Sequence, residues 1–160
     1  MRFLGRKKEL EQLENIYSLA GQKNILVYGK RRMGKSELLK HSMFLFNGKT
    51  IYYECLKTTY DDNIKKLCEQ IAQVFNQNFL SLDSIENVLS FLKEKSKNEN
   101  ILLIIDEYPF LRENKKGLDS IFQTYIDNNQ DDNLKIVLCG SFPTIMQEIV
   151  QKHEPLFGRF

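Results

Sequence analysis

Four apolar runs constrain this chain most: 24–28 (NILVY), 50–55 (TIYYEC), 101–106 (ILLIID) and 134–140 (LKIVLCG). Each is short, bulky and apolar with little alternation, the pattern of a strand covered on both faces. Between them lie segments with apolar residues at helical spacing. The first, 6–20, sets Leu10, Leu13, Ile16, Tyr17 and Ala20 on one stripe; the others span about 35–46, 61–75, 84–97 and 117–126. Gly21 stops the first and Asn47-Gly48 the second, while Asp83 or Ser84 caps the helix at 84–97. Pro109 turns the chain off the third strand, and Pro143 suits the first turn of a closing helix. Strands alternating with helices predict an α/β fold: a parallel sheet between two helical layers.

Composition excludes more than it selects. The 160 residues suffice for one domain with a substantial core, and a net charge of +2 is too small to indicate a nucleic-acid surface by itself. The opening MRFLGRKKELEQL lacks the apolar segment of a signal peptide, and no run approaches the ~18 apolar residues of a membrane span. The odd set Cys55, Cys68 and Cys139 reads as inert, reduced thiols of a cytoplasmic protein. His41 and His153 have no partner at ligand spacing, which argues against a histidine metal site.

The hinge between the first strand and the second helix carries chemistry. Gly29-Lys-Arg-Arg-Met-Gly34-Lys35-Ser36 fits G-x-x-x-x-G-K-[ST] at every fixed position, with a strand before it and a helix after it. Gly29 and Gly34 let the backbone turn so that the N–H groups from Met33 through Lys35 and Ser36 to Glu37 converge on an anion. The helix dipole adds to that field. Lys35 reaches the β- and γ-phosphates of a nucleotide, and Ser36 offers Mg²⁺ a hard oxygen. Arg31 and Arg32 are either solvated loop charges or contacts to phosphate or a partner.

A phosphate nest alone does not imply hydrolysis. The third strand ends in Asp106-Glu107, about 70 residues downstream. At the end of a neighbouring strand, Asp106 suits the metal and Glu107 suits polarisation of an attacking water. Adjacent acids also argue against a small-molecule kinase, which must keep water from the γ-phosphate. Ser141, just past the fourth strand, is placed to meet the γ-phosphate or the water; Ser141 or its neighbour also suits the cap of the helix that Pro143 opens, and the two roles are compatible.

Five segments in order, FLGRKKELEQL, GKRRMGKSELL, LLIIDEYPFL, LCGSFPTIM and PLFGRF, resemble the archaeal-type ATPase family, among the AAA+-related, STAND-like P-loop ATPases. They run from Phe3 to Phe160, essentially the whole chain. The resemblance implies ATP with Mg²⁺ and a sheet ordered 5-1-4-3-2, with the fifth strand, a helical lid and further domains expected beyond Phe160. It places Gly5 and Arg6 near the adenine, with a plain first-turn charge as the other reading of Arg6. It makes Arg159 a phosphate contact in its own subunit or in a neighbouring copy; the alternative is an arginine at a frayed end. The expected partners are therefore ATP and ADP, a second copy of the chain, and DNA only through the further domains. The expected activity is hydrolysis of ATP to ADP and phosphate, weak or absent in this length of chain, that drives movement of those domains. The alternative is a nucleotide-operated switch with little turnover.

Overall fold

The computed structural model describes residues 7–29 and 34–160. Four parallel strands, β1 (Asn24–Tyr28), β2 (Lys49–Glu54), β3 (Ile101–Asp106) and β4 (Leu134–Gly140), form one sheet in the order β1-β4-β3-β2. The α/β class holds, and these four strands follow the order expected for them. Every residue of β3 and β4 is buried, as the two central positions require, whereas β1 and β2 at the edges are only partly covered. Lys135 is tolerated inside β4 because its ammonium donates to the carbonyls of Leu19 (2.7 Å) and Gly21 (2.9 Å). Burial lowers its pKa, as loss of water disfavours the charged form.

Helices α1 (Lys7–Tyr17) and α2 (Lys35–Ser42) cover one face of the sheet. On the other lie α3 (Tyr60–Val74), α4 (Ile85–Ser96), α5 (Tyr108–Arg112), α6 (Leu118–Asn128) and α7 (Pro143–Ile149). Side chains alternate between the faces. Ile101, Leu103 and Ile105 join the α3–α7 core, while Leu102 and Ile104 pack with Leu13, Tyr17, Leu38 and Leu39. Asp106 therefore follows Leu102 and Ile104 onto the α2 side.

Local differences from the sequence expectations have simple causes. The helix expected to reach residue 46 gives way after Ser42 to a 3-10 turn, Met43–Leu45. Of the two cap candidates, Ser84 takes the position, accepting the Asn87 N–H at 3.2 Å. Pro109 does more than divert the chain: it sits in the first turn of α5, a five-residue helix too short to show periodicity. Cys55, Cys68 and Cys139 are buried free thiols, and burial raises the pKa of each. Among the described residues no helix is long and apolar enough to cross a membrane.

The turn into β2 is tight. Gly48 has φ 155°, and a Cβ there would stand 2.3 Å from the carbonyl oxygen of Asn100. The oxygen belongs to backbone and the Cβ position is set by backbone, so neither can swing aside. Gly48→Ala is expected to cost about 1–3 kcal/mol in urea denaturation, the range for overpacked sites; an unchanged midpoint would contradict this close approach.

Candidate functional site

The sheet order dictates where the site forms. The connection leaving β1 at one edge must reach β2 at the other, so α2 crosses the two central strands. Its first turn thereby passes the carboxyl end of β3. Gly34 starts this helix in the left-handed region, with φ 78°, a conformation that costs any residue with a Cβ. No side chain caps α2, so its first N–H groups lack the partner that a cap would supply. Lys35 is only 7% exposed, and its Cδ lies 3.6 Å from where a Cβ on Gly29 would stand. The Glu37 carboxylate points along the helix toward Lys40, at 3.9 Å. Gly29, Gly34, Lys35, Ser36 and Glu37 are thus placed, whereas Gly5, Arg6, Arg31, Arg32 and Met33 lie outside the described residues.

Asp106 is fully buried, and donors from three elements converge on it. Ser36 Oγ donates to Oδ2 at 2.5 Å, across 70 residues of sequence. The Tyr52 hydroxyl donates to the same oxygen, and the Glu107 N–H donates to Oδ1 at 2.8 Å. Burial, and next the bond to Asp106, push the Tyr52 hydroxyl far above the usual tyrosine range, so it remains a proton donor. The sequence expectations included Ser36 and Asp106 but missed Tyr52. Alternation could have found it, since Ile51 and Tyr53 belong to the opposite core.

Glu107 has φ 52° and ψ 42° as it enters α5, a left-handed conformation unfavourable for a residue with a side chain. Strain of this kind persists only where surrounding structure enforces it. Its Oε1 accepts a hydrogen bond from Ser141 Oγ at 2.5 Å, while Oε2 is buried without a protein partner. Ser141 stands here because β4 neighbours β3 and ends beside it. The capping alternative for Ser141 does not hold, because Phe142 occupies the N-cap of α7 and no side chain bonds there. A cavity of about 340 Å³ opens beside the pair, lined by Glu54, Cys55, Leu56, Lys57 and Phe110 together with Glu107 and Ser141.

Arg159 stands apart from these groups. Its Nε and Nη2 hold the two oxygens of Asp127 at 2.7 and 2.9 Å, and Nη1 donates to the carbonyls of Pro155 and Phe157. Asp127 lies in the last turn of α6, which leads to the start of β4, while Asp106 sits at the far end of β3. Within one subunit, the guanidinium is committed to a carboxylate and is not brought to the Asp106 group.

Comparison with known proteins agrees with this geometry. Residues 3–160 match the family model described as an ATPase domain predominantly from Archaea. An uncharacterized protein of Methanocaldococcus jannaschii is 30% identical over 98% of this chain, which spans 34% of that protein's length. A Walker-type ATPase of Pyrococcus abyssi superposes with a TM-score of 0.72 at 24% identity, covering 99% of this chain and 52% of its own. The Aeropyrum pernix ORC2 protein, in its ADPNP-ADP complexes, has the same TM-score of 0.72 at 16% identity, covering 95% of this chain and 45% of its own. At these identities the two solved structures speak for the fold alone.

The backbone at Glu107 can be tested apart from any activity. Both Glu107→Gly and Glu107→Ala remove the carboxylate, but only glycine relieves the left-handed conformation. The glycine variant is expected to be the more stable by about 0.5–1 kcal/mol, after allowance for the greater unfolded-state entropy of glycine. The ordinary ranking, alanine above glycine, would show that position 107 carries no such strain.

Proposed function

Because the chain belongs to the family of ATPase domains found predominantly in Archaea, we propose that this nucleotide-binding core holds ATP with Mg²⁺ and hydrolyses it to ADP and phosphate. One observation carries the reading: Ser36 and Asp106, distant in sequence, meet at 2.5 Å with Glu107 next along the chain. The residues present suit Mg²⁺, which takes few protein ligands and prefers hard oxygens. Ser36 Oγ and the Asp106 carboxylate are such a pair. Among the described residues no cluster of three or more His, Cys, Asp or Glu forms a closed metal cage, and a phosphate-shared Mg²⁺ needs none. When bound, Mg²⁺ would neutralise charge on the phosphate oxygens.

The rest falls to side chains and main chain. The first-turn amides of α2 and the Lys35 ammonium bind the phosphates, and Gly34 supplies the turn that aims them. Glu107 orients a water and takes up its proton, through the oxygen that has no protein partner. Ser141 fixes the other oxygen of that carboxylate. Arg159, held by Asp127 within its own subunit, is assigned to a neighbouring copy, which it reaches by exchanging Asp127 for phosphate. The chain spans 34%, 52% and 45% of the lengths of the three relatives described above, and the reading proposed here is confined to the nucleotide-binding core.

A nucleotide-operated switch with slow turnover is favoured by a single feature, the short Ser141–Glu107 hydrogen bond, which already engages part of the carboxylate. Two variants separate the readings. Lys35→Ala should abolish ATP binding in calorimetry while leaving the thermal transition cooperative; undiminished affinity would refute the site. Glu107→Gln should keep ATP affinity and lower the rate of phosphate release by about 100-fold or more, the scale of a lost general base. Equal rates in the two proteins would leave the switch.

A further inference from the structure

We propose that Tyr52 is a positioning residue for the metal-binding carboxylate: its hydroxyl orients Asp106 so that Mg²⁺ and nucleotide are held together. The inference rests on the reading of Ser36 and Asp106 as the Mg²⁺ site. The torsion that rotates an aspartate carboxylate about its Cβ–Cγ bond is soft, so only hydrogen bonds hold its plane. Oδ1 is held by the Glu107 N–H, and Oδ2 receives the hydroxyls of Ser36 and Tyr52. Ser36 rides on the first turn of α2, next to the phosphate-binding loop. Tyr52 is built into β2, whose register pairs it with Ile104, two residues before Asp106. It is the donor that the edge strand of the sheet supplies, while the Cys139 thiol of β4 also meets Asp106 from the central part of the sheet.

Tyr52 lies on an edge strand and is only partly buried as a whole residue. Its hydroxyl nevertheless reaches into a fully buried carboxylate that already has other donors. The ring is steadied from outside by the Lys40 ammonium, 5.2 Å from its centroid. Groups that orient a metal ligand in this way typically contribute about 10–100-fold to metal affinity.

Adjacent Tyr53 provides a built-in control. Its hydroxyl also donates to a buried acceptor, Asn63 Oδ1 at 2.5 Å, but on the opposite core of the sheet. The test is binding of a fluorescent ATP analogue to the full chain, titrated with MgCl₂ and, separately, in EDTA. Tyr52→Phe keeps the ring and should raise the Mg²⁺ midpoint about 10-fold or more while leaving affinity in EDTA unchanged. Tyr53→Phe should leave both unchanged. A Tyr52→Phe midpoint equal to that of the unaltered protein overturns the inference. So does a shift reproduced by Tyr53→Phe, or an equal loss with and without metal, either of which marks a general structural effect. If the unaltered protein binds the analogue without regard to Mg²⁺, the metal reading itself fails, and this inference fails with it.

Discussion

The carboxylate of Asp106 is the constraint around which this molecule is arranged. A buried acid is costly unless hydrogen-bonded or paired, and here no exposure to water remains. Its partners must therefore come from the protein, and they come from α2, β2, the backbone of Glu107 and the Cys139 thiol of β4. That requirement ties the crossover helix to the sheet at the strand ends where a nucleotide would lie. It also explains why α2 can begin with a left-handed glycine in place of a side-chain cap. The helix is held at its start through Ser36.

Beside this group the chain adopts an unfavourable backbone conformation. Glu107 sits in the left-handed region directly after a fully buried strand, and the α5 helix with its early proline starts at the next residue. Tyr108, buried, donates to Asp119 at 2.6 Å, and Arg112 pairs with the same carboxylate at 2.9 Å. These bonds anchor the far side of the turn, so the strain cannot relax by unwinding α5. The adjacency of β3 and β4 then brings Ser141 to Glu107. Asp106 and Glu107 are thus consecutive residues at one strand end that take different hydroxyl partners, Ser36 and Tyr52 for the first and Ser141 for the second.

Much of this was legible in the amino-acid order because the strong signals are local. Strands buried on both faces show as unbroken apolar runs, and the glycine-lysine-serine hinge is recognisable by spacing alone. The α5 helix was not legible, since five residues carry no periodicity. Tyr52 was legible only indirectly, because a sheet covered on both faces gives both Tyr52 and Tyr53 apolar surroundings. Only the parity of β2 against Asp106 separates them. Ser141 was open between two roles, which turn on the residue at which α7 starts, and sequence pattern does not fix a helix boundary to one residue. Arg159 shows the same limit: its motif marks an arginine at that place but not which acid it meets, and in the fold it meets Asp127.

The central claim is that the first turn of α2, opposite Asp106, grips the phosphates of a nucleotide. Residue-resolved amide hydrogen exchange, with and without a non-hydrolysable ATP analogue and Mg²⁺, addresses it most directly. Exchange at Gly34, Lys35 and Ser36 should slow markedly when the analogue and metal are present together. Unchanged exchange at these three amides, with protection appearing elsewhere on the chain, would contradict the account.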